Sequence, residues 1–221
     1  MTLNSATRED IELAGGPRAD LHSFIPIESR EILDLGCRAG ALAAAIKRRQ
    51  PARVVGIEIE PDHAAAAATR LDRVIEGDLE TVLRDRASEL GQFDCVIAAD
   101  VLEHLRDPWS ALARATRMLK PGGVVVVSLP NIRHYTAIRA LTLDGRWPRH
   151  DAGIFDATHL RWFTRRDALD LMRQAGLAVN SITPRLLERP GFRGSAKRAL
   201  AKAGFGDFLA VQYVLTGSSP R

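Results

Sequence analysis

The stretch Ile32-Leu-Asp-Leu-Gly-Cys-Arg-Ala-Gly40 limits the possible folds of this chain more than any other. It reads as an apolar strand that ends in a glycine turn and runs straight into the helix-forming Ala41-Leu-Ala-Ala-Ala-Ile46. Glycines at such a turn open backbone conformations closed to other residues and let a ligand approach the main chain closely. This arrangement belongs to parallel sheets, whose ligands sit beyond the carboxyl ends of the strands. The spacing Gly36-x-x-x-Gly40 differs from the G-x-G-x-x-G of dinucleotide enzymes. Arg38 stands where a second glycine is expected, so it is expected to keep a negative φ and to reach the pocket mouth.

The same pattern recurs along the rest of the chain. Strands are expected at Glu31–Leu35, Arg53–Ile59, Arg73–Ile75, Phe93–Ala98, Gly123–Leu129, Leu177–Thr183 and Phe208–Thr216. Helices are expected at Ala41–Arg49, Pro61–Leu71, Thr81–Glu89, Pro108–Leu119 and Arg166–Ala175, with an irregular stretch before the last of these. Strands this apolar, alternating with helices, imply an α/β fold whose mostly parallel sheet is covered on both faces. A length of 221 residues suits a single domain. Residues 1–30 are expected to cap it, and residues 131–163 and 184–206 to form lid or acceptor-side insertions. The apolar share of 46% and the absence of any span-length apolar run fit a cytoplasmic protein with no transmembrane segment. Its two cysteines, Cys37 and Cys95, lie in core segments and read as reduced thiols. A net charge of +4 suits an anionic acceptor but makes no case for nucleic acid as a partner.

The strand ends carry the candidate ligand groups. Glu58, closing the second strand, is the carboxylate a ribose diol needs, because it can accept from both hydroxyls. Asp78 could accept from an adenine amino group or cap the following helix, and local sequence leaves both open. The fourth strand ends in Ala99-Asp-Val-Leu-Glu-His104.

The segments ILDLGCRAG, VVGIEIEP, VIEGDLE, FDCVIAADVLEHLRDPW and MLKPGGVVVVSLPN occur in that order over residues 30–131. Together they resemble class I S-adenosylmethionine-dependent methyltransferases. The resemblance implies a Rossmann-like seven-stranded sheet with the last strand antiparallel. It also implies that Asp34, Gly36 and Gly40 surround the methionine part of the cofactor and that Glu58 takes the ribose hydroxyls. Ile59, Asp78 and Leu79 would border the adenine, and Ala99 would lie beside the sulfonium. A nicotinamide-dinucleotide reading would require a G-x-G-x-x-G turn and fits the two closing strands less well.

Methyl transfer to an oxygen needs a positioned acceptor and a destination for its proton. His104 on the fourth-strand rim and His159 are the candidates for general base and acceptor positioning. The spacing D-x-x-E-H of Asp100, Glu103 and His104, with His159 downstream, also offers four ligands for a divalent metal that would acidify a hydroxyl. It resembles the E-x-x-E-H of metal-dependent small-RNA 2′-O-methyltransferases and of ubiquinone-pathway O-methyltransferases. Residues 131–164 resemble a second group, bacterial methyltransferases that modify sugars and surface polysaccharides. That likeness implies a sugar-linked acceptor, with Trp147 or Trp162 against a sugar ring and Arg133 and Arg161 on a phosphate; for Trp162, closing a small lid core is the preferred expectation. The basic run Arg185–Lys202 would suit an anionic acceptor. The expected activity is O-methylation of a small-molecule or glycan hydroxyl. The alternatives are RNA 2′-O-methylation and a methyltransferase-fold partner without turnover. The sequence leaves the oligomeric state open.

Overall fold

The computed structural model describes residues 16–186 and 205–219, so the basic run beyond Leu186 and the first fifteen residues lie outside it. The seven strands are β1 (Glu31–Leu35), β2 (Arg53–Glu58), β3 (Arg73–Glu76), β4 (Phe93–Ala99), β5 (Leu119–Pro130), β6 (Ala178–Leu186) and β7 (Ala210–Ser218). They form one sheet in the order β3-β2-β1-β4-β5-β7-β6. Pairs from β3 through β5 are parallel, whereas β7 runs antiparallel to both β5 and β6. The chain moves outward from β1 to β3 and then restarts at β4 on the other side of β1. The crevice at this reversal, above the ends of β1 and β4, is where such sheets take ligands.

Each strand feeds two cores by simple alternation. Leu33, Leu35, Val55, Ile57, Val96, Ala98, Val125 and Val127 all point to one face. There they meet α3 (Leu79–Asp85), α4 (Pro108–Thr116) and α6 (Arg165–Gln174). Ile32, Val54, Cys95, Ile97 and Val126 point to the other face, against α1 (Ala41–Arg49) and the end of α2 (Pro61–Ala67). Every one of these strand side chains is fully buried, which contributes roughly 1.5–3 kcal/mol for each large aliphatic. Both cysteines are buried and unpaired.

Several boundaries differ from the sequence expectation, each for a local reason. The helix expected to run to Leu71 stops at Ala67. Asp72 then accepts the Val54 N–H at 2.8 Å and both oxygens meet Lys47 Nζ at 2.9 Å, which draws the chain off the helix axis into the sheet. The helix expected from Thr81 starts at Leu79, because Asp78 caps it by accepting from Thr81 N at 2.9 Å. It gives way after Asp85 to a 3-10 turn at Ala87–Glu89. Leu119 leaves the helix expected to contain it and opens β5 opposite Phe93. The irregular stretch holds a helix, α5 (Tyr135–Thr142), that buries Ala137 and Ala140 against Phe155. A last short helix, α7 (Gly206–Leu209), leads into β7. No helix among the described residues is long and apolar enough to cross a membrane.

Candidate functional site

The turn after β1 is drawn tight by two backbone bonds: Gly36 N–H and Cys37 N–H both donate to the Ile57 carbonyl, at 2.9 and 3.1 Å. Gly36 (φ +69°) and Gly40 (φ +77°) lie in the left-handed region. A Cβ on Gly36 would fall 2.7 Å from Val101 Cγ2, and one on Gly40 would fall 2.5 Å from Leu71 Cδ1. Glycine is therefore required at both for strain and for space.

Arg38 corrects the expectation of a negative φ: it sits at +48°. Its N–H donates to Glu58 Oε2 at 2.8 Å, and the need for that bond within so short a turn imposes the conformation. A left-handed arginine costs on the order of 1–2 kcal/mol. Arg38→Gly is therefore expected to raise stability by about 1 kcal/mol, after the added freedom of the unfolded chain is counted. The midpoint in a thermal melt should rise by about 2–4 °C, and an unchanged or lower midpoint would show that the turn holds no strain.

Glu58, at the end of β2, is only 6% exposed. Besides Arg38, its Oε1 accepts from the Ile59 and Glu60 amides, each at 3.0 Å. One carboxylate thus ties the β1 turn to the β2 turn. Together they open onto a cavity of about 650 Å³, the size of a small-ligand site. Gly36, Glu58, Ile59, Asp78 and Leu79 line it on one side and His104, Asp156, Thr158 and Leu160 on the other. A smaller cavity of about 100 Å³ adjoins at Gly36 and Arg38 and is walled by Asp34, Ala99, Asp100 and Arg18. Gly40 lines neither cavity and serves as the left-handed N-cap of α1. Burial, and next the charge of Glu58, push the Asp34 carboxyl up to about 7, while Arg18 pulls the other way.

Arg18 had no signature in the sequence. It reaches the site from the N-terminal segment and pairs with Asp20 at 3.0 Å and with Asp100. Asp100 in turn is the main correction at the rim. At φ +53° its side chain accepts from Arg18, Gln212 and Ser128 Oγ, the last at 2.9 Å. With its oxygens engaged there, it leaves the four-ligand set read from D-x-x-E-H. Among the described residues, the metal-competent group that remains is Glu103, His104 and His159, whose ligand atoms lie within 4.8 Å of one another.

His159 is brought in because the segment after it is stitched to β4's exit: the Leu160 and Arg161 amides donate to the Glu103 carbonyl at 2.9 and 3.0 Å. Glu103 is 1% exposed, and neither of its carboxylate oxygens has a hydrogen-bond partner. His159 Nε2 stands 3.9 Å from Oε1, too far for a hydrogen bond. Burial first, then the charge of Asp100, push the Glu103 carboxyl well above the carboxylate range. Burial, followed by neighbouring His159, lowers the basicity of His104, whose ring lies 4.7 Å from that of His159. Two imidazoles and an unsatisfied carboxyl thus face one small volume beside the large cavity.

The arginines expected to grip a phosphate are engaged with their own chain. Arg133 lies over the Phe208 ring at 4.9 Å and near Asp207, and Arg161 donates to the carbonyls of Leu160 and Arg106. Trp147 packs edge-on against Trp162 at 4.8 Å and against Phe155 at 5.2 Å, forming part of a small aromatic cluster beside α5.

The family model described as "Methyltransferase domain" matches residues 12–182. The ubiquinone biosynthesis O-methyltransferase of Ruegeria pomeroyi is 32% identical over 75% of this chain and 67% of its own length. The enzyme of the same name from Paracidovorax citrulli is 30% identical over 75% of this chain and 74% of its own. A solved S-adenosylmethionine-dependent methyltransferase from Archaeoglobus fulgidus superposes with a TM-score of 0.65 over 90% of this chain and 91% of its own, at 17% identity, and so shares its fold. The glycine turn, the strand order and these relatives converge: the chain belongs to the methyltransferase-domain family and is a class I S-adenosylmethionine-dependent methyltransferase.

Proposed function

We propose that this enzyme transfers the methyl group of S-adenosylmethionine to a hydroxyl oxygen of a small-molecule acceptor. The observation that carries the reading is the buried, unpartnered Glu103 carboxyl beside His104 and His159 at the cavity's edge. The names of the Ruegeria and Paracidovorax relatives, both O-methyltransferases, support it. The hydroxyl oxygen attacks the methyl carbon as the carbon–sulfur bond breaks, and S-adenosylhomocysteine leaves with the electron pair. The hydroxyl proton must go to a base. His104, its basicity lowered by burial and its ring on the cavity wall, takes that proton when its lone-pair nitrogen holds no ion.

A carboxyl buried this deeply stays protonated unless a cation compensates it. One oxygen donor and two imidazoles suit Mg²⁺, Mn²⁺ or Zn²⁺, so the residues fit a divalent ion. When bound, such an ion would supply Lewis acidity toward an acceptor hydroxyl. A sugar-linked acceptor, implied by the likeness of residues 131–164, draws no support from Arg133 or Arg161, both engaged elsewhere. The nucleoside half of the cofactor is assigned to the larger cavity, with Glu58 on the ribose and Ile59, Asp78 and Leu79 around the adenine. Asp34, Ala99 and Arg18 are assigned to the amino-acid half.

Methyl-labelled cofactor offered with a phenolic, a sugar-linked and an RNA acceptor tests this reading. A phenolic methyl ether is expected. Methylated sugar as the only product would shift the acceptor class, and label on nitrogen or carbon would overturn the proposal.

The pH dependence of cofactor binding follows from Asp34. Its folded-state value lies above its unfolded one, so the folded protein holds that proton more tightly. The resulting stability is complete below about pH 4 and is lost as pH rises through about 7. A cationic ligand favours the ionised form, so affinity moves the opposite way. Calorimetry should find S-adenosylmethionine bound about tenfold more weakly at about pH 6 than at about pH 8. The Asp34→Asn variant should show no such slope, and a wild-type affinity independent of pH would refute the assignment.

A further inference from the structure

His104 is held by a chain of two hydrogen bonds. Its Nδ1 lies 3.0 Å from Thr158 Oγ1, and Thr158 Oγ1 lies 2.6 Å from Asp156 Oδ1. The same Asp156 oxygen accepts the Thr158 backbone N–H at 2.8 Å, which fixes the threonine over the carboxylate. A threonine hydroxyl has one proton, and an ionised carboxylate has none to give. The hydroxyl therefore donates to Asp156 and must accept from His104, which places the imidazole proton on Nδ1.

His159 has the same polarity by an independent route. Its Nδ1 faces the Ile154 carbonyl at 3.3 Å, and a carbonyl can only accept. Its Nε2 lies 3.9 Å from Glu103 Oε1. Both rings are thereby held with Nδ1 as a hydrogen-bond donor to the protein.

We propose that Thr158, backed by Asp156, is a positioning residue that locks His104 in the Nδ1–H tautomer and so leaves Nε2 as its lone-pair nitrogen. An unconstrained neutral imidazole favours the opposite tautomer, so the lock has a measurable effect. Its consequence rests on the reading of Glu103, His104 and His159 as a cation site: partners of this kind tune metal affinity by about 10–100-fold. The tautomer itself does not rest on that reading.

Nitrogen-15 NMR of histidine-labelled, chelator-treated protein, loaded with S-adenosylhomocysteine, reads the tautomer directly. With six histidines in the chain, His104 is identified by the signal missing from His104→Gln. The wild type is expected to carry the His104 proton on Nδ1. Thr158→Val should move it mainly to Nε2 and leave the His159 signals in place, whereas Thr158→Ser should behave as wild type. Thr158 is exposed, so the valine variant is expected to fold. Mn²⁺ titration should show about tenfold weaker binding in the valine variant only. Nε2–H in the wild type, or an unmoved proton in Thr158→Val, would overturn the proposal. The expected tautomers without any Mn²⁺ binding would uphold the positioning role and overturn the cation reading alone.

Discussion

Replacing Glu103 with glutamine is expected to lower methyl transfer on the order of a hundredfold or more while leaving cofactor affinity within about threefold. The substitution keeps the side chain's shape in a fully packed pocket, so the fold has no cavity to absorb. It removes the one group there able to carry a negative charge, beside the imidazoles of His104 and His159. The amide also adds two donors where neither carboxyl oxygen had a partner. Glu103 lines neither cavity, which is why binding of S-adenosylmethionine should survive. The check is an initial-rate assay with labelled cofactor, paired with calorimetry on S-adenosylhomocysteine. Turnover within about threefold of wild type would remove Glu103 from the chemistry.

The second large effect is expected at Glu58. Glu58→Ala should weaken cofactor binding by about a hundredfold, near 3 kcal/mol, with little change in the rate at saturating cofactor. The side chain has two tasks. Its carboxylate holds the Arg38, Ile59 and Glu60 amides in place, and it presents its remaining lone pairs to the cavity. Loss of the first loosens the glycine turn, and loss of the second removes the proposed ribose contact. Glutamine at this position keeps one carbonyl oxygen and should give an intermediate affinity. Wild-type affinity for both variants would place the ribose elsewhere.

The fold was legible because the strands are so apolar: a run such as Val124–Val127 between turn signals has few alternatives, and α1 is bounded by Gly40 as expected. Helix ends were less legible where a side chain from another element decided them, as Asp72 does by capturing Val54. Around the cavity, Gly36, Glu58, Ile59, Asp78 and Leu79 come together because each sits at a strand end, and strand ends can be read from sequence. Asp100 was misread because spacing fixes the position of a Cα but not the direction of its side chain. A left-handed backbone turned it toward Arg18 and Gln212, which lie 82 and 112 residues away in sequence. Arg18 was missed for the same reason, since its partner Asp100 is distant, and so was the bond from Thr158 to His104, 54 residues away.

The role of the Glu103, His104 and His159 cluster is tested most directly by methyl transfer with chelator-treated protein, assayed with and without added Mg²⁺ or Mn²⁺, for the wild type and for Glu103→Gln. Treatment is expected to silence the wild type, the cation to restore it, and the variant to stay silent in both conditions. Full turnover by chelated wild type, unmoved by either ion, would contradict the cation site.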